Sequence, residues 1–174
     1  MTRHSRAAVP ARVGRRVRVG AWVGAGVGTL ALLTAAGSGW RSAVADPPRL
    51  AELGEVTVYK SPTCECCHRW VEHMREAGFA VTTRDVVDVS AVKREQGIPG
   101  SLVSCHTSVS GGYAIEGHVP ADEVRRLLTE RPAVAGLAVP GMPAGSPGME
   151  VGRSERYQVL SFTPDGASAV YAER

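Results

Sequence analysis

Acidic residues are missing from the first 45 positions, which instead carry seven arginines: Arg3, Arg6, Arg12, Arg15, Arg16, Arg18 and Arg41. The formal charge of +3 is therefore a property of that head, because the remainder holds 13 basic against 17 acidic residues, a balance of −4. That balance excludes a basic surface for nucleic acid on the part that folds. Long apolar runs are missing too. The uncharged stretch 21–36 has 16 residues and is interrupted by Gly24, Gly26 and Gly28, against the about 20 that a bilayer crossing needs. Aromatic residues are scarce at 5%, beside 44% hydrophobic and 21% charged. There is no internal repeat, heptad pattern or long low-complexity segment. The 174 residues thus support about one domain.

The head reads as an address. An Arg-rich start, an apolar middle and Ala43-Val44-Ala45 ahead of Asp46 have the small-x-small form that signal peptidase accepts. Residues 1–45 are expected to be a secretory signal peptide, and 46–174 an exported, periplasmic or extracytoplasmic domain with no stable membrane insertion after cleavage. Arg15-Arg16 also resembles a twin-arginine signal, which would export a protein already folded and loaded.

All four cysteines, Cys64, Cys66, Cys67 and Cys105, fall in the exported part. An even count in an exported protein ordinarily means disulfide staples. Here three of the four lie within four residues, where a bridge closes too small a loop to constrain the unfolded chain much. The cysteines are there for chemistry.

Glu55 to Lys60 alternates like a strand, and Ser61-Pro62-Thr63 breaks it. Cys67, Trp70, Val71 and Met74 then recur at helical spacing, with Gly78 as the stop. Phe79 to Val87 reads as a strand, and Ser90 as the cap of a short helix through Gln96. Leu102 to Val109 and Tyr113 to Glu116 form a hairpin about Ser110-Gly111-Gly112, and a helix runs from Pro120 to about Glu130. Residues 136–152 hold five glycines and three prolines and read as a loop, and Thr163-Pro164-Asp165-Gly166 turns a C-terminal β-hairpin. The order predicts an α/β fold: a single thioredoxin-like domain, its mixed sheet flanked by helices. In that plan Cys105 and His118 approach the Cys64 to Cys67 cluster at one sheet edge.

A helix N-terminus favours thiolate, which both attacks disulfides and binds soft metals. Cys67 shares the apolar stripe, Cys66 lines up with Arg69 and His73, and Cys64 is expected to be open. A third thiol beside a Cys-x-x-Cys pair diverts the mixed disulfide of an exchange reaction, yet suits metal capture. By softness the set fits Cu(I), with zinc or an iron–sulfur cluster next; zinc ordinarily wants two Cys knuckles, and only one is present. Met142 and Met149, in the Gly-Pro loop, are candidate thioether ligands, and His118 a candidate imidazole ligand. Met74 is expected in the core, His68 and His73 in solvent, and Glu65 exposed at the helix start. His106, next to Cys105 on an expected strand, faces the other way. Two readings compete with metal capture: a thiol–disulfide oxidoreductase in which Cys64 attacks and Cys67 resolves, and an inert domain with two plain disulfides.

Val58-Tyr59-Lys60-Ser61-Pro62-Thr63-Cys64-x-Cys66-Cys67, followed by Trp70-Val71-x-His73-Met74, resembles the opening of the CopG-type family of exported bacterial copper-resistance proteins. Ser104-Cys105-His106-Thr107, Gly112-Tyr113-x-Ile115-Glu116-Gly117-His118-Val119-Pro120-Ala121, the run from Gly136 to Pro143, and Gly145 to Glu150 agree in order. The resemblance implies a thioredoxin-like fold and copper on the thiolates of Cys64, Cys66, Cys67 and Cys105, as a multinuclear cluster. It also implies a role in copper redox handling, with copper ions and other exported copper-handling proteins as partners.

Overall fold

The computed structural model describes residues 54–150 and 152–174; the expected signal peptide lies outside them. Seven strands form one mixed sheet in the order β2-β1-β3-β4-β5-β6-β7, with three α-helices among the described residues. The strands are β1 (Val56–Lys60), β2 (Val81–Asp85), β3 (Thr107–Ser110), β4 (Tyr113–Glu116), β5 (Gly136–Ala138), β6 (Gln158–Phe162) and β7 (Ser168–Glu173). The helices are α1 (Glu65–Glu76), α2 (Val89–Glu95) and α3 (Ala121–Glu130). No helix among the described residues is long and apolar enough to cross a membrane.

Helix α1 forms where the apolar spacing puts it. Cys67, Trp70, Val71 and Met74 are all buried, and full burial of each larger side chain is worth about 1.5–3 kcal/mol. Trp70, Val71 and Met74 pack with Val124, Leu127 and Leu128 of α3 on Val56, Val58, Ile115 and Leu137 of the sheet. A smaller cluster, with Ile98, Leu102, Ala114, Ala138 and Phe162, covers the opposite face. Alternation along β4 separates the two: Tyr113 and Ile115 belong to the first cluster and Ala114 to the second.

Three local expectations change. Helix α2 is capped by the Asp88 side chain, which accepts from Ala91 N–H, and not by Ser90. The β3/β4 hairpin closes with Ser110 opposite Tyr113, so its turn is the two residues Gly111-Gly112. The segment expected as one strand from Leu102 begins as a 3-10 turn, Gly100–Leu102, and becomes strand only at Thr107.

The predicted loop also contains a strand. β5 runs parallel to β4 and antiparallel to β6, and Gly136 is what admits it there. A Cβ on Gly136 would stand 1.9 Å from the Ala114 carbonyl oxygen and 2.9 Å from the Phe162 ring. Gly136→Val is therefore expected to destabilise the fold by about 3 kcal/mol or more; denaturant unfolding checks this, and an unchanged midpoint would refute it.

The registers fix one edge of the sheet. Tyr59 near the end of β1 lies opposite Thr107 at the start of β3, which lies opposite Glu116 at the end of β4. Glu116 in turn pairs with Ala138 at the end of β5. The Cys64 turn, the Cys105 bend, His118 and the loop after β5 all leave from this edge.

Candidate metal centre

Cys64 is the N-cap residue of α1, its N–H bonded to the Ser61 carbonyl at 3.2 Å. Cys66 and Cys67 follow in the first turn. All four sulfurs lie within 4.8 Å of one another, so the expected convergence is present. Cys64 and Cys67 are joined as a disulfide, while Cys66 and Cys105 are free thiols. Cys66 Sγ stands 3.5 Å from Cys64 Sγ and 3.8 Å from Cys105 Sγ, and Cys67 Sγ 3.5 Å from Cys105 Sγ. Cys67 is fully buried; the other three are half-buried. The two free thiols do not fit the reading with two plain disulfides.

Two imidazoles flank the fourth sulfur. His118 Nε2 is 3.0 Å from Cys105 Sγ. Its Nδ1 is 2.7 Å from the Pro147 carbonyl, which can only accept, so Nδ1 carries the hydrogen and the Nε2 lone pair faces the sulfur. Burial lowers the His118 pKa, partly countered by that carbonyl, and the ring stays neutral at pH 7. Burial, then proximity to the Cys66 thiol, pushes the Cys105 thiol up to about 12.

His106 is the residue that sequence reasoning turned the wrong way. Cys105 lies in a bend two residues before β3, not on the strand, so strand alternation does not separate the two side chains. His106 Nδ1 comes within 3.3 Å of Cys105 Sγ. Its ring is fully buried, 4.6 Å from the Trp70 ring and edge-on to His118 at 5.2 Å. Its Nε2 has no hydrogen-bond partner among the described residues, and burial holds its pKa well below the ordinary value. Cys105, His106 and His118 form a second group of closely spaced donors.

The loop after β5 closes over the site. Gly148 packs on the first turn of α1, where a Cβ would meet the Cys66 carbonyl oxygen at 2.6 Å at a φ of +84°. Arg69 Nε donates to the Gly148 carbonyl at 2.9 Å. The same loop brings Met142 Sδ to 4.0 Å from Cys66 Sγ, although the Met142 side chain is half exposed. Met149 is held by its backbone to Ser146 and Gly145, and no sulfur contact joins it to the cysteines among the described residues.

Elsewhere Met74 is core and Glu65 exposed, as read from the sequence. His68 is exposed, 3.1 Å from Lys60 Nζ. His73, expected in solvent, is half-buried, and its Nε2 accepts the first N–H of α3 at 3.1 Å. Burial lowers its pKa, which favours that neutral acceptor.

The chain resembles known proteins over this region. Residues 102–149 match the family described as "Protein of unknown function, DUF411". A solved structure titled "Copper resistance protein copG- Form 2" is 46% identical, with a TM-score of 0.67 over 70% of this chain and 98% of that one. A second, titled "Copper resistance protein copG- Form 1", is also 46% identical, with a TM-score of 0.66 over 69% of this chain and 96% of that one. No curated protein matches the sequence.

Proposed function

This chain belongs to the CopG family of copper resistance proteins, and from that premise we propose that it is an exported thioredoxin-like protein that captures Cu(I) on thiolates. The observation that carries the reading is the donor set: four sulfurs within 4.8 Å of one another, with the His118 Nε2 lone pair aimed at one of them. Thiolate, thioether and imidazole are soft or borderline donors, and together they fit Cu(I) better than a hard cation. Cys64, Cys66, Cys67 and Cys105 are the proposed thiolates, joined by His118, Met142 and Met149. Bridging sulfurs would let the site hold more than one ion, lowering free copper in a periplasmic or extracytoplasmic space.

Copper is the cargo here. Full loading needs the Cys64–Cys67 disulfide reduced by an external dithiol, which gives up two electrons and two protons, becomes a disulfide itself and returns both thiols to the site. The test is anaerobic titration of the reduced 46–174 domain with Cu(I) against a competing chelator, counting copper per chain. Tight uptake of at least one copper is expected; uptake no better than that of a quadruple Cys→Ser variant would end the reading.

The Cys64–Cys67 disulfide supports a second reading, a thiol–disulfide oxidoreductase in which Cys64 attacks and Cys67 resolves. In that reading Cys66 and Cys105 have no chemical part.

A further inference from the structure

Cys105 is the one sulfur of the four that α1 does not deliver. It sits in the bend between the 3-10 turn and β3, where the regular strand ladder has not begun. One buried side chain brackets it. Glu116 Oε1 accepts from Ser104 N–H at 2.5 Å and Oε2 from the Thr107 hydroxyl at 2.7 Å, the residues one before and two after Cys105. Lys93 of α2 reaches the same carboxylate at 2.5 Å and also donates to Thr107 Oγ1 at 3.1 Å. Glu116 is fully buried on the face that carries the second apolar cluster, where a charge is costly unless paired and fully hydrogen-bonded. Hydrophobic side chains could fill that space. What they could not do is hold a backbone N–H and a hydroxyl on either side of a cysteine.

We infer that Glu116, neutralised by Lys93, is a positioning residue that sets the place of the Cys105 sulfur against Cys66 and Cys67. The strap continues outward: Ser104 Oγ bonds the Gly141 carbonyl, and Gly141 N–H bonds the Val103 carbonyl at 3.1 Å. The bend fixed by Glu116 therefore also anchors the start of the loop that carries Met142. The inference rests on the copper reading for its purpose only, because sulfur placement is measurable without metal.

The test uses Cys64→Ser with Cys66→Ser, leaving Cys67 and Cys105 as the only thiols. Equilibration with glutathione then reads how well they are held together: two protein thiols and one glutathione disulfide give one protein disulfide and two glutathione thiols. Glu116→Gln in this background is expected to lower the equilibrium constant for the Cys67–Cys105 bridge about tenfold or more, with far-UV circular dichroism unchanged. A residue that only stabilised the core would lower the melting temperature and leave that constant alone, and this result overturns the inference. Thr107→Val, which removes the Oε2 bond and the Lys93 bond to the same hydroxyl but leaves the Glu116 carboxylate, Ser104 N–H and Lys93 in place, carries the same test with a loss of about threefold should Glu116→Gln fail to fold. Collapse of both variants would assign the network to core stability and equally overturn it. Because no copper enters, failure here leaves the proposed function standing, and failure of copper uptake leaves this result readable.

Discussion

Replacing Cys105 by serine is expected to weaken Cu(I) binding by about a thousandfold, some 4 kcal/mol, while changing the rate of disulfide exchange by no more than about threefold. The split follows from where the Cys105 proton sits. Exchange is carried by thiolate, and a thiol pushed up to about 12 is almost wholly protonated at pH 7. Cys105 is therefore a poor nucleophile, and removing it costs an exchange reaction little. A metal ion is a different electrophile: it displaces the proton to solvent, and the His118 Nε2 at 3.0 Å stands ready to bind the metal beside the thiolate. Cys66→Ser should behave in the same way, since its sulfur lies between Cys64, Cys105 and Met142 and outside the Cys64–Cys67 bridge. The two measurements are copper competition and the initial rate of glutathione disulfide reduction. Loss of exchange with copper binding intact would reverse the ranking of the two readings.

The part of this site that the sequence announces is the part carried by regular periodicity. Cys67, Trp70, Val71 and Met74 recur at helical spacing, and they are the buried residues of α1. The Gly111-Gly112 turn and the hairpin about it place Cys105 and His118 at the same edge by counting outward. What stays hidden is irregular. Strand β5 is hidden because Gly136, which reads as a breaker, is there for close approach to Ala114. His106 is hidden because its direction depends on Cys105 lying in a bend, and no residue pattern marks where β3 begins. Glu116 is hidden because a carboxylate in a strand reads as an exposed one; only its three partners explain its burial. The Cys-x-x-Cys spacing does mark Cys64 and Cys67 as the redox pair, and they are the bridged pair; what the spacing leaves open is whether the two serve as a bridge, a metal site or both in turn.

Reduction of that bridge should change copper affinity more than any single substitution. Oxidised, the chain offers two thiols, Cys66 and Cys105; reduced, it offers four, drawn from sulfurs that already lie within 4.8 Å of one another. Two added thiolate ligands correspond to a tightening of about 10⁴-fold or more, if each contributes at least about two-thirds of the free energy expected from Cys105. The pH response supplies the sign. Every thiol bound as thiolate must release a proton, so affinity rises with pH until the free thiols themselves ionise. For Cys105 that limit lies near 12, and its contribution alone is about tenfold per pH unit across the whole range from 6 to 8. Burial lowers the pKa of both His118 and His106, which reduces their share of the proton release relative to that of the thiols. The reduced protein should therefore show a steeper rise of log affinity with pH than the oxidised one, because it gives up more protons per copper. Competition titrations of both forms at pH 6, 7 and 8 measure the two slopes. Equal slopes would mean that Cys64 and Cys67 are not ligands, and a flat response would mean that copper is not held on thiolates at all.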